Sequence, residues 1–559
     1  MDKVVSRECR FVVHVPARYG VNEDTHVVKE LLHYADGRTE KNLRIIENFK
    51  RPFWVTQDHA RNHKQKKEYE TLDKLVEGKA TQSDLAREAA CRLGSRFAGV
   101  RDLRTIKRSP YIYGIDVNSR TYINHLYKQK FKNVATPYEV CILDIEADTL
   151  KETITIISIA MPDKILTVFT DDYIGHMSTK DTIEGKSLEI ASKLNYLFEK
   201  HAPKTDLSER CKREYMLVEN ELEAILVVMK RLHEWSPDIV GVWNIDYDLP
   251  KMLDVLTANN ISPEEVMCDP SIKGPLKTFK YKQGRDKTAK GSAINVEQRW
   301  HVVTATSSFW WIDAMCAYYY IRVGGKAIPG GYSLDNVLSK ELGKKLGKLK
   351  FEGDVDSKYK GIEWHQYMTA NKPLEYIIYN QWDVMSVLEL DNLTKDLSVV
   401  MPMLAGDSGF DVFNSGPKRI IDAMHFFYLD NGRVMSTMDP NGDDKDLLGM
   451  GKWIVLLPSY RIRNAGMDAL VEGGSENNVR SFVYDSDQVS GYPSDGVAAN
   501  VGYSTTKCEV AEIEGMSTDD FREHNINMLL GRVNALSYGS GMLNMPKIAE
   551  LMDYIDRRE

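Results

Sequence analysis

Val140-Cys141-Ile142-Leu143-Asp144-Ile145-Glu146 is the stretch on which the fold of this chain turns. Four consecutive apolar residues describe a short buried strand, and an acidic pair stands at its end. Side chains alternate across a strand, so Asp144 and Glu146 leave the sheet on the same side. Ile154 to Ala160 and Ile165 to Phe169 have the character of neighbouring strands. Further on, Leu222, Ile225, Leu226, Met229 and Leu232 recur at helical spacing within Glu219 to Glu234. Another buried strand, Ile239-Val240-Gly241-Val242-Trp243, then runs into a second acidic cluster, Asn244-Ile245-Asp246-Tyr247-Asp248. Strands alternating with helices predict a mixed sheet with helices packed on its faces.

The third cluster, Tyr379-Asn380-Gln381-Trp382-Asp383, falls in a predicted helix with Asn371 as N-cap and Pro373 in the first turn. Leu374, Ile377, Ile378, Met385 and Leu388 form its expected apolar stripe. Tyr379 and Asp383, four residues apart, share one face.

Hydrolysis of a phosphodiester needs an activated water and a stabilised leaving oxygen, and two divalent ions about 4 Å apart supply both. Magnesium takes hard oxygen ligands, and Asp144, Glu146, Asp248 and Asp383 offer them from distant stretches of the chain. Taken singly, a D-x-E triplet or a helical Y-x-x-x-D is more often a solvated surface than a ligand. The conjunction carries the argument, because each candidate follows an apolar strand or sits on an amphipathic helix. Tyr379, one turn before Asp383, is placed to orient the attacking water.

The chain has 559 residues, which predicts three or four domains, and its 43% hydrophobic and 28% charged composition is that of globular protein. No run of 18 apolar residues occurs and the start lacks an apolar signal core, so a soluble protein that is not exported and does not enter a membrane is expected. Seven scattered cysteines without a C-x-x-C pair argue against zinc and for a reducing compartment. A net charge of −8 argues against nucleic-acid binding by bulk electrostatics but allows local basic grooves beside acidic metal sites.

Residues 1–138 are expected to form an N-terminal α+β domain. Its signals are strands at Arg10 to Val15 and Leu43 to Ile46, a charged helical stretch from Asp58 to Lys74, and a helix near Gln82 to Arg92. Two basic runs lie further along, Lys277 to Lys290 and Lys340 to Lys350. Both have an ordinary reading as solvated loops. In the first, Phe279 and Tyr281 interleave with Lys280, Lys282 and Arg285, which suits a hairpin that stacks bases and meets phosphates.

Asp144-Ile145-Glu146, Asn244-x-x-Tyr247-Asp248 and Tyr379-x-x-x-Asp383 resemble the three exonuclease motifs of RNase H-like 3′–5′ proofreading nucleases. More narrowly they are similar to those of family B DNA polymerases of T-even-type tailed phages, a likeness extended by Asp248-Leu249-Pro250, Tyr332-Ser333-Leu334-Asp335 and Tyr376-Ile377-Ile378-Tyr379-Asn380. The resemblance is best between 138 and 395. It implies that Asp144, Glu146, Asp248 and Asp383 are catalytic metal-binding carboxylates for two Mg2+ ions, with Mn2+ as a substitute. It also implies that Tyr379, standing where other nuclease relatives carry His, positions water and is not the general base.

Asp487-x-x-Ser490-x-Tyr492-Pro493-Ser494 is similar to palm motif A of the same family. The resemblance makes Asp487 a catalytic metal ligand and places Ser490 and Tyr492 at the nucleotide; Gly491 and Asp495 depart from the family pattern. Arg532 to Gly539 is only superficially like the fingers motif, and a second palm aspartate is lacking. The implied organisation is an α/β and α+β multidomain chain: N-terminal domain 1–138, RNase H-like exonuclease 139–395, connector 396–470 and partial palm 471–559. Two expectations stay open, a split gene whose second polypeptide completes nucleotide transfer and a truncated stand-alone exonuclease. The implied partners are primer-template and single-stranded DNA, with the chain's own mRNA a further candidate for residues 1–138. The implied setting for a phage-encoded protein is the host cytoplasm.

Overall fold

The computed structural model describes residues 3–437 apart from 18–20, 22, 65, 95–98, 132–134, 289–290, 323–327, 352–354 and 356–357, all within one compact unit, Met1–Pro440. Strands β1 (Val4–Val15), β2 (Thr25–Tyr34) and β3 (Thr39–Glu47) form an antiparallel sheet. Next come β4 (Arg51–Thr56), β5 (Tyr69–Thr71), β6 (Leu75–Ala80) and β7 (Ile112–Tyr113); β6, β4 and β7 make a second antiparallel sheet. The charged stretch from Asp58 to Lys74 is not helical as expected. It has 3-10 turns at Asp58–Ala60 and Leu72–Lys74 with β5 between them, because it lacks the apolar spacing that would bury one helical face.

The centre of the molecule is a six-stranded mixed sheet. It contains β8 (Val140–Ala147), β9 (Ile154–Met161), β10 (Lys164–Thr170), β11 (Lys212–Val218), β12 (Ile239–Val242) and a last strand described below, so the molecule is mixed α/β, as the strand and helix alternation predicts. A hairpin, β13 (Phe279–Lys282) with β14 (Val302–Ala305), precedes β15 (Trp310–Asp313), which completes the order β11-β10-β9-β8-β12-β15. β8, β12 and β15 are parallel, while β9 runs against both β8 and β10.

Alternation along β8 separates two cores. Val140 and Ile142 pack with the helices Ile183–His201 and Pro373–Thr394, whereas Cys141, Leu143 and Ile145 face Glu221–Trp235 and Ile245–Ala258. Because both faces of the sheet are covered, β9 and β10 are buried at nearly every position, with the few polar side chains among them small hydroxyls apart from Lys164 at the start of β10.

The helix Pro373–Thr394 differs from expectation in two ways. Its N-cap is Lys372, since Asn371 ends the preceding helix Ile362–Asn371, and Pro373 takes the first position, where its missing N–H costs nothing. It is also buried on all sides from Tyr376 to Asp391, so no single apolar stripe exists.

Buried charge ties the N-terminal sheet to the central one. The amine of Lys29 donates to the carbonyls of Ser308 at 2.8 Å and Ser236 at 3.2 Å, and Arg10 donates to the Thr136 carbonyl at 2.9 Å. β16 (Arg433–Met435), beyond the helix Gly416–Asp430, returns to pair with β5. No helix among the described residues is long and apolar enough to cross a membrane, and the six described cysteines are free.

Candidate metal centre

Asp144 and Glu146 continue the face of β8 that carries Val140 and Ile142, so they point toward the helix Pro373–Thr394. That helix presents Asp383, and one carboxylate oxygen from each of Asp144, Glu146 and Asp383 lies within 4.8 Å of the other two. Among the described residues this is the only cluster of three or more carboxylate, imidazole or thiol side chains close enough to share a cation.

Asp248 stands beside the cluster and outside its innermost group. It occupies the first turn of Ile245–Ala258, is buried, and its Oδ1 accepts the backbone N–H of Ile145 at 3.2 Å, between the two strand carboxylates. The positive end of that helix favours an acid there. Asp313, at the end of β15, holds the helix in place: its Oδ2 accepts the N–H of Ile245 at 3.1 Å and its Oδ1 that of Cys316 at 2.8 Å.

The electrostatics are those of crowded acids. Burial, then the Asp383 carboxylate, push Asp144 up to about 7. Burial and Asp144 hold Glu146 well above the usual carboxylate range, and burial with Asp144 and Glu146 does the same for Asp248. Burial raises Asp383 too, against the lowering influence of Lys348. Like charges held together out of water favour either protons or a cation. The donor set is all hard oxygen, and Asp383 Oδ1 is buried without a hydrogen-bond partner, so these residues fit a hard divalent ion.

Tyr379 and Asp383 do share a face, and the group between them is a lysine that sequence reasoning left in a solvated run. Lys348 Nζ lies 2.6 Å from Asp383 Oδ2 and donates to the Tyr379 hydroxyl at 2.6 Å. Burial alone would lower this amine; the carboxylates of Asp383 and Asp144 and the Tyr379 oxygen overcome it and hold the charge firmly. The loop is pinned from below, where Trp382 Nε1 donates to the Gly347 carbonyl at 2.8 Å. Its neighbours differ: Lys350 pairs with Asp335 at 2.8 Å, and Lys340 with Glu341 at 3.2 Å. No sequence signal separates Lys348 from them.

Two more helix side chains reach the strand. Asn380 Nδ2 donates to Asp144 Oδ2 at 2.7 Å, and the Tyr376 hydroxyl donates to Glu146 Oε2. His365, on Ile362–Asn371, lies 3.8 Å from the same Glu146 oxygen, yet burial and Lys348 push its imidazole down to about 4.

Lys280 and Lys282 lie on the exposed face of β13, with Phe279 and Tyr281 turned inward, and Arg285 is exposed in the loop beyond. Tyr281 and Gln283 both donate to Asp246 Oδ1 at 2.9 Å, which ties the hairpin to the helix carrying Asp248. Asp487, Ser490 and Tyr492 lie outside the described residues. No protein-family model matches this chain, and no curated protein matches it.

Proposed function

We propose that this chain is a metal-dependent 3′–5′ exonuclease of the RNase H-like kind, forming the N-terminal portion of a viral replicative family B DNA polymerase. The observation that carries the reading is the convergence of Asp144, Glu146 and Asp383 on one point, with Asp248 against the same strand end. In this reading the four carboxylates hold Mg2+, which when bound supplies Lewis-acid stabilisation of charge at the scissile phosphodiester. Asp144, Glu146 and Asp383 are the inner holders, while Asp248 is oriented by the Ile145 N–H. Lys348 places a positive charge at Asp383 and fixes the Tyr379 hydroxyl, whose role is to orient water beside the phosphate. The exposed Lys280, Lys282 and Arg285 suit contact with the phosphates of a single strand.

In the polymerase reading, Asp487, Ser490 and Tyr492 belong to nucleotide transfer that a second polypeptide completes. The test uses the purified full chain with single-stranded DNA labelled at its 5′ end. Stepwise shortening from the 3′ end in Mg2+, none in chelator, and no primer extension by this chain alone are expected. Robust extension without a partner would refute the split arrangement, while absence of any metal-dependent shortening would refute the nuclease.

One observation favours a second reading, RNA binding through the N-terminal region. A cleft of about 530 Å³ between β1–β3 and the helix Ser119–Lys130 is lined by Arg44, Lys130, Phe49 and Phe131 among others, a pairing of cations and rings suited to bases and phosphates. Titration of single-stranded RNA into the full chain and into Arg44→Ala is expected to show at least about tenfold weaker binding by the variant; equal binding would remove this reading.

A further inference from the structure

The helix Pro373–Thr394 meets β8 in a matched register. Four helical residues advance about 6 Å and two strand residues about 6.6 Å. The step from Asn380 back to Tyr376 therefore spans the same distance as the step from Asp144 to Glu146. Each strand carboxylate receives one donor in consequence: Asn380 Nδ2 at Asp144 Oδ2, 2.7 Å, and the Tyr376 hydroxyl at Glu146 Oε2.

Tyr376 is itself held. His365 Nδ1 lies 2.7 Å from its oxygen, and Tyr376 is stacked on Tyr379 with ring centroids 5.6 Å apart. A phenol has one proton to give. With that proton on Glu146, the phenol oxygen accepts from His365, which therefore carries its proton on Nδ1. The chain His365 to Tyr376 to Glu146 runs in one direction and leaves Glu146 Oε1 without a claim from either residue.

We propose that Tyr376 and His365 are positioning residues that hold Glu146 in its metal-binding pose, Tyr376 directly and His365 through Tyr376. This rests on the nuclease reading above and deepens it. A glutamate side chain has three rotatable bonds, and at the end of a strand little else fixes them. Partners of this kind, hydrogen-bonded to a metal ligand, commonly contribute about 10–100-fold to metal affinity.

The test is direct titration of Mn2+ into the DNA-free full chain, followed by electron paramagnetic resonance, beside degradation assays over a range of Mg2+ concentrations. Tyr376→Phe keeps the ring and its stacking and removes only the hydroxyl. It is expected to weaken Mn2+ binding about 10–100-fold and to raise the half-maximal Mg2+ concentration by a similar factor, with KM for single-stranded DNA unchanged at saturating metal. His365→Ala is expected to show a smaller loss in the same direction. His365→Asn, whose amide N–H can stand in for Nδ1–H, is expected to restore binding.

Mn2+ affinity within twofold of wild type in Tyr376→Phe would overturn the inference. So would His365→Ala and His365→Asn behaving alike, a comparison that also decides the matter should Tyr376→Phe fail to fold. A wild-type chain that binds no Mn2+ sinks the nuclease reading itself, a different result from binding that ignores Tyr376.

Discussion

Replacing Asp144 and Glu146 together by alanine is expected to lower 3′–5′ degradation of single-stranded DNA by about 10³-fold or more, with DNA binding retained. The magnitude follows from what the two side chains do in this reading. Each offers a hard oxygen to the same cation, and loss of several kcal/mol of charge stabilisation at the phosphodiester costs a factor of ten per 1.36 kcal/mol. The exposed cations Lys280, Lys282 and Arg285, which in this reading meet the strand, lie on the separate hairpin and are untouched, so binding is expected to persist. The fold should persist as well, since the substitutions remove repulsion among crowded, half-buried acids and open no apolar core. Rates are compared at saturating Mg2+ alongside gel-shift affinity, and substantial remaining degradation would place the ions elsewhere.

The second large effect concerns stability. Asp144→Asn is expected to raise the melting temperature of the metal-free chain at pH 8 and to raise it clearly less at pH 5. The sign is set by Asp144 being raised in the folded chain to about 7, through burial and Asp383. A group raised on folding contributes stability below its unfolded pKa and loses it as pH rises through the folded one. At pH 5 the native carboxyl is protonated and Asn imitates it, so only the smaller cost of taking up that proton on folding separates the two chains. At pH 8 wild type must keep a half-buried charge beside Asp383 or release fold stability, a difference on the order of 2–4 kcal/mol. Mg2+ should reverse the ranking at pH 8, because a ligand that binds only the folded chain stabilises it, and an amide in place of the Asp144 carboxylate weakens that binding. Thermal melts at the two pH values, with and without Mg2+, check this. Equal melting temperatures at pH 8 in the absence of metal would mean that the acids are not crowded.

Opposing this limb are histidines that are buried neutral. His26 is pushed down to about 4 and His425 to about 3, chiefly by burial, so their contribution is present above 6.5 and is lost as pH falls below it.

Much of the central sheet was legible in one dimension. β8, β9, β10 and β12 announce themselves by apolar runs, because strands covered on both faces have no polar alternation to preserve. The acids near the end of β8 were legible only in conjunction with Asp248 and Asp383, since a D-x-E triplet by itself is more often a solvated surface than a ligand. Lys348 and His365 were not. Each comes from a loop or helix whose sequence resembles any solvated segment, and nothing local distinguishes Lys348 from Lys340 or Lys350. The all-round burial of Pro373–Thr394 also escaped, because periodicity detects one buried face and this helix is enclosed on every side from Tyr376 to Asp391.

The amino-acid order by itself determined which carboxylates share a side of β8 and which residues share a face of the long helix, because strand and helix periods are properties of the backbone. Only the tertiary structure decided that these two faces meet, that Asp383 comes within 4.8 Å of Asp144 and Glu146, and that Asp248 stops just outside them on the Ile145 N–H. The reason is that such distances depend on how the helix seats against the sheet, and that seating is set by packing contributed by residues far from the acids themselves.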